Sequence, residues 1–275
     1  TEAMPIPFTA LLPIVLFPLM GITGAKGQND IQLFKHYAYQ TCYLLVGVGF
    51  LSGSMVKHGL HKRISLGIVS KIGKKPTTLI LGFILAVAFV SMWMSNTAAT
   101  VMMLPVALAI ATTLGDDARG LKKAMVLSIP YAATIGGMAT VIGTTTNPTG
   151  IGLIESTIGI SINFLDWLKI GLPFTIVLLP LMWIYMVKFF KVDKMPPVDI
   201  SVARKQYQEL GPMSKGEKYT AIIFLACCVL WVTRSILWGK YMPFATDETV
   251  AMLGAFLVMA IPTDYKNAEY VCDWK

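Results

Sequence analysis

The stretch PTTLILGFILAVAFVSMWMSNTAATVMMLPVALAIATTLG, residues 76–115, decides the fold. It runs for 40 residues without Asp, Glu, Lys or Arg. A single α-helix of this length would measure about 60 Å, whereas the apolar core of a bilayer is about 30 Å thick. The stretch must therefore turn. We predict the turn at Ser95-Asn96-Thr97, because these residues favour helix least and because Ser or Asn is a good N-cap for the helix that follows.

The basic residues on both flanks indicate that the stretch returns to the side from which it came. Segments 57–75 and 116–123 are both rich in Lys and Arg, which marks both as cytoplasmic. The two arms have about 17 residues each, which is short for two complete crossings. The sequence therefore predicts a re-entrant helical hairpin over residues 78–114 that enters from the cytoplasm.

A second interruption lies in the apolar run 124–154, which is also too long for one crossing. The run contains Gly136-Gly137 and then Gly143-Thr144-Thr145-Thr146-Asn147-Pro148. Pro148 disfavours helix at Asn147, and Gly143 frees the backbone just before it. We predict a broken membrane helix over residues 124–158.

The composition agrees with an all-α polytopic membrane protein. Of the 275 residues, 55% are hydrophobic and 14% are charged, with a mean hydropathy of +0.64. These values exclude disorder and a disulfide-stapled module and argue against a soluble enzyme. The four cysteines have neither CxxC spacing nor His partners, so they indicate no zinc site and no disulfide framework. Three further charge-poor runs suit single crossings: 3–25, 36–56 and 170–187. The run 219–239 suits one if Arg234 snorkels or lies near an end, and the run 249–263 is marginal in length.

Two segments are predicted to form helices that do not span. Residues 58–75 place Leu60, Ile64, Ile68 and Ile72 at steps of four between basic residues, as in an amphipathic helix on the inner membrane interface. An ordinary cytoplasmic helix is the alternative. Residues 200–210, after Asp199 as N-cap, are expected to form a short helix inside the cytoplasmic loop 188–218.

The charged residues restrict the chemistry of any site in the membrane. No Asp or Glu lies inside the apolar runs, so the chain offers no carboxylate for a proton relay or a cation. A cation site must therefore use hydroxyls, side-chain amides and the carbonyls that interrupted helices leave free, which suits sodium. The half-helices after each break would direct positive dipole ends towards an anion, with Thr97, Thr144, Asn96 and Asn147 as neutral donors. Since neither break contains Lys or Arg, anion binding should depend on a bound cation.

Several motifs now match a known family. The segments MWMSNTAATVMMLPVALAI, YAATIGGMATVIGTTTNPTGI and QYQELGPMSKGEK occur in this order along the chain. They resemble the divalent anion:sodium symporter family, whose members are sodium-coupled transporters of dicarboxylates, citrate and sulfate. The resemblance extends over most of the chain.

The resemblance implies a set of ligands for each transported ion. The implied sodium ligands are Ser91, Ser95, Asn96 and Gly143, and the implied substrate ligands are Asn96, Thr97 and Thr144. The family often has prolines where this chain has Thr145 and Thr146, so the loop is expected to differ in shape or specificity.

The resemblance also implies a fold of two inverted repeats, each with a hairpin and a broken helix. One of each occurs here, so the chain resembles an N-terminal half. The implied protein is a homodimeric symporter of the bacterial plasma membrane, not an enzyme. Residues 76–167 would belong to its moving domain in an elevator-type mechanism, and residues 1–75 and 168–275 to its scaffold. A sulfate or other inorganic anion permease and an anion channel remain alternatives, whereas an intramembrane enzyme would need a nucleophile–base pair that neither break contains.

Overall fold

A computed structural model describes residues 12–17, 20, 40–71, 75–115, 118–195, 198, 201–242, 244–264 and 269–273. Helices make up most of these residues, which confirms the prediction of an all-α fold. Residues 12–17 form a helical segment inside the compact unit Thr1–Tyr43, and the rest of the predicted crossing 3–25 lies almost wholly outside the described residues. The unit Leu44–Lys275 carries the site.

The helices follow one another with short connections. In chain order they are α1 Gln40–His58, α2 Leu60–Lys71, α3 Pro76–Ser91, α4 Asn96–Thr112, α5 Arg119–Gly137, α6 Thr146–Ile158, α7 Phe164–Phe189, α8 Ser201–Glu209, α9 Lys215–Thr233 and α10 Asp247–Ala260. A π-helical turn, Arg234–Trp238, continues α9. Two short antiparallel strands follow α10, β1 Pro262–Asp264 and β2 Glu269–Tyr270.

The hairpin is present, but its turn lies slightly before the predicted Ser95–Thr97, because Asn96 and Thr97 already belong to α4. The helices α3 and α4 pack against each other and are joined by the turn 92–95. Ser95 is the N-cap of α4, and its side chain accepts a hydrogen bond from the amide of Ala98 at 3.3 Å. The cap satisfies one of the amides that a helix start leaves unpaired. Entry of the hairpin from the cytoplasm stays a prediction.

The broken helix is also present, but the break lies earlier than expected. The first half, α5, ends at Gly137 and the second half, α6, begins at Thr146. The prediction that Pro148 keeps Asn147 out of a helix is wrong, because both residues lie in the first turn of α6. Proline is tolerated there, since the amide hydrogen it lacks would have no partner inside the helix.

The hairpin's first arm lies at the centre of the packing. Along α3, 11 of 16 residues are buried, and the helix packs most extensively on α5. One apolar core is formed by the four helices α2, α3, α4 and α5 together with the second half of α7 and with α8. A second core is formed by α1, the break, α9 and α10. Within the described residues, Phe164–Phe189 and Lys215–Trp238 are long and apolar enough to cross a membrane, whereas α3 and α4 are apolar but shorter.

The predicted amphipathic helix, α2, packs on the protein. Leu60 is buried, and Ile64 and Ile68 are partly buried against the first core. The protein thus covers much of the apolar stripe that suggested membrane binding. The short helix α8 packs against α2 as a cytoplasmic loop helix would, and Asp199, its expected N-cap, lies outside the described residues.

Candidate sodium and anion site

The hairpin tip lies directly against the break, although about 40 positions separate them in sequence. A Cβ atom on Gly137 would lie 2.2 Å from Oδ1 of Asn96. A Cβ atom on Gly143 would lie 2.8 Å from the carbonyl oxygen of Ser91. Both glycines are therefore required by close approach: tip and break touch with no room for a side chain.

Three oxygen atoms converge at this contact. Oγ of the buried Ser91 lies 2.8 Å from Oδ1 of Asn96 and 2.8 Å from the carbonyl oxygen of Ala133. The single hydroxyl hydrogen of Ser91 can satisfy only one of these two acceptors at a time. The contact is consequently rich in lone pairs and poor in donors, which is the environment that a small cation prefers.

A buried threonine links the tip to the break. The Thr140 hydroxyl donates a short hydrogen bond to the carbonyl oxygen of Met92, directly after α3. The same hydroxyl accepts a hydrogen bond from the amide of Gly143 at 3.1 Å. Thr140 is fully buried, so its side chain spans the two halves of the site without solvent between them.

The side chain of Asn147 forms hydrogen bonds within the break. Its Nδ2 donates to the carbonyl oxygens of Gly137, at 2.9 Å, and of Thr140, at 2.8 Å. Both amide hydrogens are thus in use, and the side chain is buried. The expectation that Asn147 donates to a bound anion is not supported by this geometry: it holds the loop closed on itself.

The helix α7 satisfies backbone groups that the break exposes. Nε1 of Trp167 donates to the carbonyl oxygen of Met138 at 3.0 Å, and Oγ1 of Thr175 donates to that of Ile135 at 3.1 Å. At Gly171 a Cβ atom would lie 2.4 Å from the same Met138 oxygen, so the two backbones are in close contact. Unpaired carbonyls are costly in an apolar medium, so these contacts stabilise the break.

The remaining residues implied by the resemblance lie near the contact but outside the oxygen cluster. Ser95 is exposed, and its hydroxyl caps α4. Thr97 is exposed in the first turn of that helix. Thr144 is half-buried, and its Oγ1 lies 3.2 Å from Oγ1 of Thr146 just before α6. The structure therefore gathers Ser91, Asn96 and Gly143 and leaves the three hydroxyl residues facing outwards.

The donor atoms suit a hard monovalent cation. They are a hydroxyl, a side-chain amide oxygen and backbone carbonyls, all neutral. Across the residues that the structure describes, no group of three or more His, Cys, Asp or Glu side chains is placed to hold a metal. Zinc and other transition metals prefer such ligands, whereas sodium accepts neutral oxygen atoms.

Sequence reasoning missed two contributors to this arrangement. The carbonyl of Ala133 could not be found, because only the fold brings it to Ser91. Thr140 did give a signal, as the only polar side chain between positions 135 and 142.

Comparison with known proteins agrees with the geometry. A family model described as the sodium:sulfate symporter transmembrane region matches residues 1–275. The chain belongs to this family. It is therefore a multi-pass integral membrane protein, and the resemblance to the divalent anion:sodium symporters is confirmed.

Several curated relatives match the whole chain. The sodium-dependent dicarboxylate transporter SdcS of Staphylococcus saprophyticus is 36% identical over 290 residues, covering 100% of this chain and 55% of that protein. SdcS of Staphylococcus aureus strain USA300 is 35% identical over 291 residues, with the same coverage. The chain thus spans about half the length of the curated relatives it matches.

Proposed function

We propose that this chain supplies one half of a transport site in a bacterial secondary transporter, which carries a small dicarboxylate into the cell together with sodium. The observation that carries the proposal is the oxygen cluster at the contact of hairpin tip and break, where Ser91 lies 2.8 Å from both Asn96 and the Ala133 carbonyl. The names of the two relatives support sodium and a dicarboxylate as the transported pair.

In this proposal sodium binds before the dianion. Ser91, Ser95, Asn96 and Gly143 bind sodium, and Asn96, Thr97 and Thr144 bind one carboxylate of the substrate. Neither break holds Lys or Arg, so a dianion there meets only dipoles and hydroxyls until a cation is present. At about 4 Å and an effective dielectric near 20, a cation–anion pair gains about 4 kcal/mol, which is enough to make substrate affinity depend on sodium.

The hairpin and the broken helix would move as one block across a static scaffold. Support comes from the hydrogen bonds of Thr140 and Asn147, which fasten the tip and both edges of the break to each other. The contact of Thr175 with the Ile135 carbonyl favours including the rest of α7, beyond Trp167, in this block, although residues 168–275 were expected to belong to the scaffold. In this proposal the complete protein forms a homodimer.

Uptake by the complete protein that contains this chain tests the proposal. Purified protein in liposomes takes up radiolabelled succinate with sodium outside, and with potassium or choline in its place. We expect uptake only with sodium, loss of both sodium and substrate affinity in Asn96→Ala, and a weaker effect on sodium in Thr97→Ala. Thr112→Ala, at the far end of α4, is the matched control, because its hydroxyl bonds only the local Ala109 carbonyl. Undiminished uptake in choline, or a normal Asn96→Ala variant, would refute the proposal.

Sulfate is the second candidate substrate, since the matching family is described as sodium:sulfate symporters. It carries the same charge as a dicarboxylate in a smaller volume. The test is competition against the uptake of radiolabelled succinate. Sulfate is favoured as the substrate if excess unlabelled sulfate abolishes this uptake and excess unlabelled succinate reduces it only weakly.

A further inference from the structure

We propose that Thr140 is a positioning residue that sets the geometry of the sodium site from outside it. The inference rests on the proposed function, because it assigns the sodium site to the contact between tip and break. Thr140 itself is not among the residues that the resemblance to the family implies as ligands. Its side chain bonds the backbone of one of them, Gly143, and of Met92, which directly follows another, Ser91.

The position of Thr140 links the two separate pieces of backbone that carry the ligands. Its hydroxyl donates to the carbonyl of Met92, the residue after Ser91, and accepts from the amide of Gly143. One hydroxyl group thus fixes the distance between the end of α3 and the middle of the break. A carbonyl or hydroxyl ligand bound to sodium must lie within a few tenths of an ångström of its optimum, so this distance governs affinity.

The surroundings leave the hydroxyl no substitute. Thr140 is fully buried, and the backbone atoms around Gly143 are in contact: a Cβ atom there would lie 2.6 Å from the Gly137 carbonyl. Without the hydroxyl, the Met92 carbonyl loses this donor, and the Gly143 amide keeps only a long bond, 3.4 Å, to the Thr140 carbonyl. Both groups would then seek other partners, and the two ligand-bearing segments would separate or rotate.

The role is distinct from that of Asn147. The Asn147 amide joins the Gly137 and Thr140 carbonyls, both in the break, and closes the loop on itself. Thr140 alone, of the side chains described around the break, bonds both the hairpin backbone and the Gly143 amide. Loss of the Thr140 hydroxyl should therefore weaken sodium binding, while Asn147 still keeps the loop folded.

Three variants of the complete protein test this inference: Thr140→Val, Thr140→Ser and Thr220→Val. Valine keeps the volume and removes the hydroxyl, and serine keeps the hydroxyl. Thr220 is an equally buried threonine in α9 whose hydroxyl has no hydrogen-bond partner in the described part of the chain, so its replacement by valine controls for the substitution itself.

The first measurement is the sodium concentration that half-maximally stabilises the purified protein against heating, at constant ionic strength with potassium and without any dicarboxylate. We expect Thr140→Val to raise this concentration about ten-fold, as loss of one buried hydrogen bond would. Thr140→Ser should restore a value near that of the native protein, and Thr220→Val should leave it unchanged. An unchanged value in Thr140→Val, or a rise of equal size in Thr220→Val, would overturn the inference.

The second measurement is the sodium dependence of succinate uptake in liposomes. A native protein that is stabilised by sodium but transports no succinate would refute the proposed substrate and leave the role of Thr140 supported by the first measurement. A native protein that sodium does not stabilise would overturn the role of Thr140. If Thr140→Val does not fold, Thr140→Cys replaces it, because a thiol is a weak donor of similar size and should give a smaller rise.

Discussion

Replacing Gly137 by alanine should abolish high-affinity sodium binding while leaving the chain folded. The new Cβ atom would lie 2.2 Å from Oδ1 of Asn96 and 3.2 Å from its Nδ2. Because a Cβ atom does not approach another heavy atom more closely than 3.0 Å, the Asn96 amide must move away from position 137 by about 0.8 Å. Asn96 is a short side chain on the first residue of α4, so its amide cannot retreat this far and still meet Ser91.

The magnitude follows from two costs. Loss of the hydrogen bond between Ser91 and Asn96 costs about 1 kcal/mol, and the forced displacement of a packed group costs about 2 kcal/mol. Their sum, about 3 kcal/mol, corresponds to a loss of sodium affinity on the order of a hundred-fold. Succinate affinity should fall as well, because Asn96 is proposed to bind both ions.

The assay is the sodium dependence of succinate uptake by the complete protein in liposomes, combined with sodium-dependent stabilisation against heating. Gly150→Ala is the matched control. Gly150 lies in the second half of the same broken helix, where a Cβ atom would meet nothing within 4 Å, so alanine should be neutral or stabilise the helix slightly. Native sodium dependence in Gly137→Ala would show that Asn96 is not a sodium ligand.

Two further predictions concern the helix α2. Arg63→Ala should lower the free energy of unfolding by about 3 kcal/mol, because the half-buried guanidinium pairs with Glu217 at 2.8 Å and also bonds the carbonyls of Leu210 and Gly211. The exposed neighbour Lys62→Ala is the control; equal melting temperatures of the two variants would contradict the prediction. The hydrogen bond with Glu217 raises the pKa of Arg63, so the part of this stabilisation that depends on the charge of Arg63 is present at neutral pH and is lost as pH rises through that raised pKa. Burial lowers the pKa of His61, despite the opposing hydrogen bond with the Met55 carbonyl at 2.7 Å. The native state therefore takes up the proton less readily than the unfolded chain, and stability should decline as pH falls below about 6.5, down to the lowered pKa. In a His61→Gln variant the melting temperature should lose this part of its pH dependence, and an unaltered profile would contradict the assignment.

Much of the fold could be read from local sequence. A charge-free stretch of 40 residues has to turn in the membrane, and Ser95 as a cap fixes where the second arm begins. Glycines at 136, 137 and 143 marked the second interruption. The exact limits of the break could not be predicted, because Pro148 is compatible both with a chain break before it and with the first turn of a helix.

The site was only partly determined by the sequence. The types of ligand followed from the absence of carboxylates in the apolar runs, since only hydroxyls, amides and carbonyls remained. Whether Asn147 faced a ligand or the backbone depended on the loop around it, and the structure places its amide on two carbonyls.

Hydropathy, charge and helix-breaking residues act locally along the chain, so they are sufficient to predict a helical membrane protein with two interrupted segments and neutral ligands. The contacts at the site depend on the fold: it brings Asn96 against Gly137, the Ala133 carbonyl to Ser91, and the Thr140 hydroxyl to both Met92 and Gly143. Apart from the local bond between Thr140 and Gly143, these contacts join residues more than 40 positions apart, and they depend on how closely two glycine-lined backbones approach, which no local pattern specifies.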